Sequence, residues 1–147
     1  MKITAQTYSG GAWTGEWFDL WTAFGMRMSD GLDSLRAPLE MKEVVTNQSR
    51  LEHGTRVAYD TKKAASRSHT LTFTIQGSTA SQFQSRKRLF LNILYGAHRL
   101  ILDIYGDGSE EYILTYTGKG CSYSGHTGKF CAMTLKFDEY ELNPHFG

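Results

Sequence analysis

The chain has 147 residues, with 16 Lys or Arg against 15 Asp or Glu for a net charge of +1, and is 40% hydrophobic and 21% charged. That balance excludes a disordered chain and a strongly basic nucleic-acid binder, and the length suits one domain that buries its core without disulfides or metal. Two cysteines exclude a disulfide framework, and no apolar run approaches the roughly 18 residues that cross a bilayer.

Taken in chain order, the first half is the harder to read. Tyr8 to Gly15 is rich in glycine and reads as a loop within a poorly ordered start, about residues 1–15. Met1 to Gln6 lacks the apolar stretch of a secretion signal, so synthesis in the cytoplasm is the expectation. Phe24, Met26 and Met28 alternate with Gly25 and Arg27, which predicts a strand. Ser29-Asp30-Gly31 marks a turn, and Leu39 to Thr46 predicts a second strand. A polar excursion follows, about residues 46–65, too long for a mere connection; it reads as a long loop or hairpin arm.

The second half is clear. Leu71, Phe73 and Ile75 alternate with Thr70, Thr72, Thr74 and Gln76, the period of a strand buried on one face, over Arg67–Gln76. Thr79 followed by Gln82 forms a capping box and predicts a helix over about 79–95. Phe83, Lys87, Phe90, Leu94 and Ala97 make its stripe, Arg86, Lys87 and Arg88 mark its solvated side, and Gly96 is placed for a left-handed C-cap. Strands are predicted at Arg99–Tyr105, Glu110–Gly118 and Lys129–Phe137. The first two are joined by a hairpin turn at Gly106-Asp107-Gly108-Ser109, and a looser turn around Ser124–Gly128 precedes the last. One helix cannot cover both faces of a sheet, so the early strands should complete the burial. The expected fold is mainly β (α+β): one domain over 1–147, an antiparallel sandwich or split-barrel-like body with one flanking helix, its second half ordered strand–helix–strand–strand–strand.

No catalytic, cofactor-binding or metal-binding pattern stands out. The five histidines lie in different elements and none pairs at helical ligand spacing. Glu110-Glu111 and Asp138-Glu139 read as solvated charges, since neighbours on a strand face opposite ways. Cys121 and Cys131 flank the turn near His126 and would face each other in a regular hairpin; a disulfide or a metal site with His126 is weighed against simple space filling, which is favoured. No nucleophile elbow or phosphate loop is present. Trp13, Trp17, Phe18 and Trp21 leave open a carbohydrate- or peptide-binding β module, against ordinary core or interface packing.

Ser49-Arg50-Leu51-Glu52-His53-Gly54-Thr55-Arg56-Val57, Ala65 to Ser68 running into Leu71 to Gly77, the helix with Phe83, Lys87, Phe90 and Leu94, Tyr112 to Lys119, and Met133 to Glu139 together resemble tail proteins of phages and prophages. The element order over about residues 40–142 resembles the N-terminal ring-forming domain of distal tail proteins, a relative in fold of tail-tube proteins. The resemblance implies a virion structural protein made in the bacterial cytoplasm and placed in the tail, with no enzyme activity, cofactor or membrane. It implies a hexameric ring of identical subunits, other tail proteins as partners, and a channel that DNA passes without specific binding. Subunit contacts are expected from the excursion and the helix, with Arg50, Glu52, His53, Arg56, Arg86, Lys87 and Arg88 as interface candidates. The chain has no room for the second, carbohydrate-module-like domain that distal tail proteins often carry, which leaves tube subunit, hub ring and completion protein open.

Overall fold

A computed structural model describes residues 2–38, 46–47, 56–57 and 66–139. The elements are β1 (Thr4–Ser9), β2 (Ala12–Trp13), β3 (Phe18–Asp19), α1 (Leu20–Phe24), β4 (Met26–Asp30), α2 (Leu32–Arg36), β5 (Thr46–Asn47), β6 (Arg56–Val57), β7 (Arg67–Gln76), α3 (Ala80–Gly96), β8 (Arg99–Asp103), β9 (Glu111–Tyr116), β10 (Ser122–Thr127) and β11 (Phe130–Glu139).

The strand with the cleanest alternation forms as its sequence dictates. β7 turns Leu71, Phe73 and Ile75 inward and leaves Ser68, Thr70 and Gln76 exposed. It pairs antiparallel with β11 from Phe130↔Gln76 to Glu139↔Arg67, so Cys131, Met133, Leu135 and Phe137 join the same buried face. α3 lies on that face. The Thr79 hydroxyl caps it by accepting from the Gln82 N–H at 3.1 Å, and the Gln82 side-chain Oε1 accepts from the Ser78 N–H at 2.6 Å, one residue earlier than the expected capping box. Phe83, Phe90 and Leu94 are buried, each worth about 1.5–3 kcal/mol of apolar transfer. Gly96 is the last helical residue, and the non-helical cap falls on Ala97 with φ −98°, so the left-handed glycine cap does not occur. No atom lies within 4 Å of a Cβ built at Gly96. Gly96→Ala is therefore expected to be neutral or to stabilise by up to about 1 kcal/mol, read as a shift in urea midpoint at constant m.

The hydrogen-bonded strands form one open nine-stranded sheet in the order β2-β1-β8-β9-β11-β7-β4, with β3 branching from β1 and β10 from β11. The corner is narrow: β9 meets β11 only at Phe137↔Tyr116 and Asp138↔Thr115. One wing is β1, β2, β3, β8 and β9, and the other is β4, β7, β11 and β10. Both wings and α3 send side chains into one core, which includes Ala5, Leu102, Leu114, Phe73 and Phe90. The body is mainly antiparallel β with its helix on one face, and the two expected layers are joined by hydrogen bonds at that corner.

Several local readings change. Residues 4–13, expected within a poorly ordered start, form a hairpin that turns at Gly10-Gly11. β1 pairs with β8 from Thr4↔Asp103 to Tyr8↔Arg99, and Ala5 is fully buried. Phe24 belongs to α1; the strand starts at Met26 after the left-handed Gly25. β10 occupies the expected looser turn, adding an edge strand before the last one. Its side chains are mostly polar and exposed, so no alternation marks it. Of the expected strand at 39–46, residues 39–45 lie outside the described residues. Of the expected loop or arm at about 46–65, β5 and β6 pair at Thr46↔Val57 and Asn47↔Arg56 in a separate two-stranded sheet, and residues 48–55 and 58–65 lie outside the described residues.

Candidate assembly surfaces

The most constrained polar cluster sits where β7 begins and β11 ends. Register sets Arg67 opposite Glu139 and His69 opposite Phe137. His69 Nε2 lies 2.7 Å from Glu139 Oε2, and the Ser34 hydroxyl lies 2.7 Å from His69 Nδ1. Arg67 donates to the same Glu139 oxygen through Nε at 3.1 Å and Nη2 at 2.9 Å. Its remaining N–H groups cap α2 by reaching the Leu35 carbonyl at 3.0 Å and the Ala37 carbonyl at 2.8 Å. Glu139 and His69 are both buried, which corrects the reading of Glu139 as a solvated charge. The parity of β11 carries the signal, because Glu139 continues the inward series 131, 133, 135, 137. His69 likewise precedes Leu71, Phe73 and Ile75 on the inward face of β7.

Ser34, His69 and Glu139 are linked in the order hydroxyl, imidazole, carboxylate, and the Arg67 guanidinium is engaged by Glu139 and by α2 carbonyls. What the cluster does is fasten α2 to the ends of β7 and β11. A second arginine fastens α2 elsewhere: Arg36 donates to both Glu110 oxygens at 3.0–3.2 Å and to the Tyr105 hydroxyl.

The cysteines do not face each other. Cys131 opposes Gly125 across β10 and Ile75 across β7, while Cys121 precedes β10, and both thiols are free. Burial pushes the Cys131 thiol up, away from thiolate chemistry. Tyr116 is pushed up to about 12, first by burial and then by its hydrogen bond with Cys121.

Among the described residues the β4–β7–β11–β10 wing has two open edges, because there β4 pairs only with β7 and β10 only with β11. The face away from α3 is small and polar, with Thr70, Thr72 and Thr74 on β7 and Ala132 and Thr134 on β11. Beside the β4 edge stands Trp21, 43% exposed, with the Arg27 guanidinium 4.3 Å from its ring centre. Two open grooves flank this indole, one lined by Lys2, Asp19, Met26 and Met28, the other by Gln76, Ser78 and Arg86. The aromatic cluster expected from the sequence is divided. Trp13 packs edge-on against Tyr8, Phe18 packs on Phe24, and Trp17 and Trp21 are left exposed.

The sequence-derived interface residues fare unevenly. Arg50, Glu52 and His53 lie outside the described residues, and Arg56 is placed in β6. The basic run on α3 is largely committed within the chain. Arg86 donates to the Gln76 carbonyl at 2.7 Å, and the Lys87 ammonium lies 5.5 Å from the Phe83 ring centre and 5.2 Å from that of Tyr123. Arg88 is exposed. The β4 edge was not among the sequence-derived interface candidates, because the sequence shows apolar periodicity but not which strand ends a sheet.

No family model matches the sequence, and no curated protein matches it. Solved structures do. The SPP1 Dit protein, presented as a paradigm of the hub adsorption apparatus of phages infecting Gram-positive bacteria, superposes with a TM-score of 0.52 at 17% identity, over 95% of this chain and 50% of that one. A chain of the phage P2 baseplate in its activated conformation with calcium gives 0.57 at 13% identity, over 95% and 44%. The chain thus spans about half the length of these structures. At such identity the likeness shows a shared fold, the one that the tail-protein resemblance in the sequence implied.

Proposed function

We propose that this chain is a structural subunit of a phage or prophage tail that closes into a ring, as a hub or tube component, with its 147 residues acting as one ring-forming domain. The observation that carries the reading is the pair of open edges on one wing. Its strands alternate in direction from β4 through β7 and β11 to β10, so β4 and β10 run opposite ways. Rotation about an axis along the strands keeps strand direction. It therefore brings one copy's β10 antiparallel to the next copy's β4, and the alternation continues from copy to copy without a break. Such head-to-tail contacts close into rings and remove the exposed edges that otherwise invite aggregation. Six copies is the number that the distal-tail resemblance implies. Trp21 with Arg27 beside the β4 edge supplies the kind of aromatic and arginine anchor that interfaces favour.

The test is a cross-link that a single chain cannot make. Ser29 on β4 and Ser124 on β10 are separated by β7 and β11, about 14 Å at the usual strand spacing. That is too far for a disulfide. In a Cys121→Ser background, Ser29→Cys combined with Ser124→Cys should give an oxidised ladder that stops at the ring size, and rings by electron microscopy. Unlinked monomers at high concentration and in assembled particles would sink the edge-to-edge ring.

The carbohydrate- or peptide-module reading rests on Trp17 and Trp21. A glycan array discriminates: specific binding lost in Trp17→Ala or Trp21→Ala, with assembly unchanged, would favour it.

A further inference from the structure

We infer that the contact between copies is keyed by side chains at the two edges: Tyr123 of one copy enters the groove beside Met26 and Met28 of the next, while Lys119 and Lys136 face the next copy's Asp30 and Asp33. The inference rests on the edge-to-edge ring proposed above, and it names the residues that choose the neighbour and fix its register. Backbone pairing of two strand edges does neither, because N–H and C=O groups repeat along every strand.

The apolar half of the key lies on the α3 face. Register sets Tyr123 opposite Met133, which is buried on that face. Gly125, the next β10 residue on that face, has no side chain, and a Cβ built there would stand 3.1 Å from the Tyr123 ring, so the ring lies across the glycine. The Lys87 ammonium stands 5.2 Å from the ring centre on the α3 side. Tyr123 is nonetheless 54% exposed, at the rim of the sheet. At the opposite edge the same face opens into a groove of about 580 Å³ lined by Met26 and Met28, with Lys2, Asp19 and Trp21 also in its lining. When Ser29 of one copy stands opposite Ser124 of the next, antiparallel counting puts Met28 opposite Gly125, the residue that the Tyr123 ring covers. A tyrosine suits that groove, because its ring packs against methionine sulfur and its hydroxyl can meet the polar lining.

The charged half lies further along the same edges. β4 ends at Asp30, and Asp33 follows in α2; both are exposed. β10 starts at Ser122, just after Lys119, and the Lys136 ammonium lies 3.1 Å from where a Cβ at Gly120 would stand. An antiparallel neighbour brings the end of β4 to the start of β10, and so carries two carboxylates to two ammonium groups. Asp30, opposite Thr72, and Lys136, opposite Thr70, share the face away from α3. Among the described residues none of the four takes part in an ion pair within its own chain. At an exposed rim such pairs add little affinity. Their effect is selection, since a copy offered the wrong way round brings like charges together.

The experiment uses the full-length chain carrying Cys121→Ser, Ser29→Cys and Ser124→Cys, and reads the protein concentration that gives half of the oxidised ladder. Tyr123→Ala should raise that concentration about tenfold, the usual loss at an interface anchor. Tyr95→Ala, at an exposed tyrosine further along α3, should leave it unchanged. Lys119→Glu with Lys136→Glu should suppress the ladder, and so should Asp30→Lys with Asp33→Lys in a separate chain. Mixed in equal amounts the two charge-reversed chains should restore it, because every contact in an alternating ring then pairs opposite charges; restoration also shows that both chains fold. A ladder unchanged by Tyr123→Ala overturns the keyed contact and leaves the ring standing. So does a mixture of the two charge-reversed chains, each folded by circular dichroism, that gives no ladder. Absence of any ladder from the parent overturns the ring and this inference with it, so the two failures are distinguishable.

Discussion

Replacing Glu139 with alanine is expected to cost about 3–5 kcal/mol of folding stability, the usual consequence of breaking a buried ion pair by removing one partner. Glu139 is fully buried, and a single one of its oxygens faces both Arg67 and His69. The Arg67 side chain is only 11% exposed, so it would lose its counter-ion with little compensating water. The damage should spread to α2, whose carbonyls depend on the same guanidinium. With urea m-values of about 1–3 kcal/mol/M, the midpoint should fall by one to a few molar, on the order of ΔΔG/m. Replacing Arg67 and Glu139 together with methionine should cost less than either truncation, because no lone charge is left behind. A Glu139→Ala midpoint within error of the parent would mean that the cluster is solvated and contributes nothing.

How much of this was legible depends on the kind of signal. β7, α3, β8, β9 and β11 carry strong periodicity, and each forms close to where the sequence puts it, because burial on one face is what periodicity encodes. The first 38 residues hid most of their structure. β1 is polar at Thr4, Gln6 and Thr7 and is held largely by backbone pairing to β8, which sequence does not display. α1 and α2 span five residues each, too short to show a helical stripe. β8 departs from simple alternation because Asp103 is buried. Its carboxylate accepts from the N–H groups of Gly106 at 3.1 Å and Gly108 at 2.8 Å, so it belongs to the turn as much as to the strand.

The candidate surfaces were legible in a different way. The basic run Arg86-Lys87-Arg88 on α3 drew attention, yet a run says nothing about partners, and Arg86 and Lys87 find theirs inside the chain. The open edges emerge only once the strand order is known. The proposed ring contact resides in what the sheet leaves unpaired among the described residues, and that is a property of topology.

Gly25→Ala should be a strongly damaging methyl addition at the start of β4. Gly25 has φ 62° and ends α1, its N–H reaching the Trp21 carbonyl at 2.8 Å. An alanine there pays about 1–2 kcal/mol for the left-handed backbone. Its Cβ would also collide with the Gln76 carbonyl oxygen and stand 2.6 Å from Arg86 Nη1, which are themselves hydrogen-bonded. The carbonyl is backbone and cannot swing aside, so overpacking adds about 1–3 kcal/mol. A total near 3 kcal/mol corresponds to a fall in Tm of about 6–12 °C. Gly11→Ala separates the two contributions, since Gly11 has φ 88° with nothing within 4 Å of a built Cβ and so carries the backbone strain alone. Relieving the clash moves β4 away from the end of β7 and carries Trp21 and Arg27 with it. Under conditions where Gly25→Ala still folds, it should cross-link through β4 and β10 less than Gly11→Ala does. Equal loss of stability in the two variants would show that the β4–β7 junction yields freely, and that the edge proposed to receive the next subunit is not held rigid by Gly25.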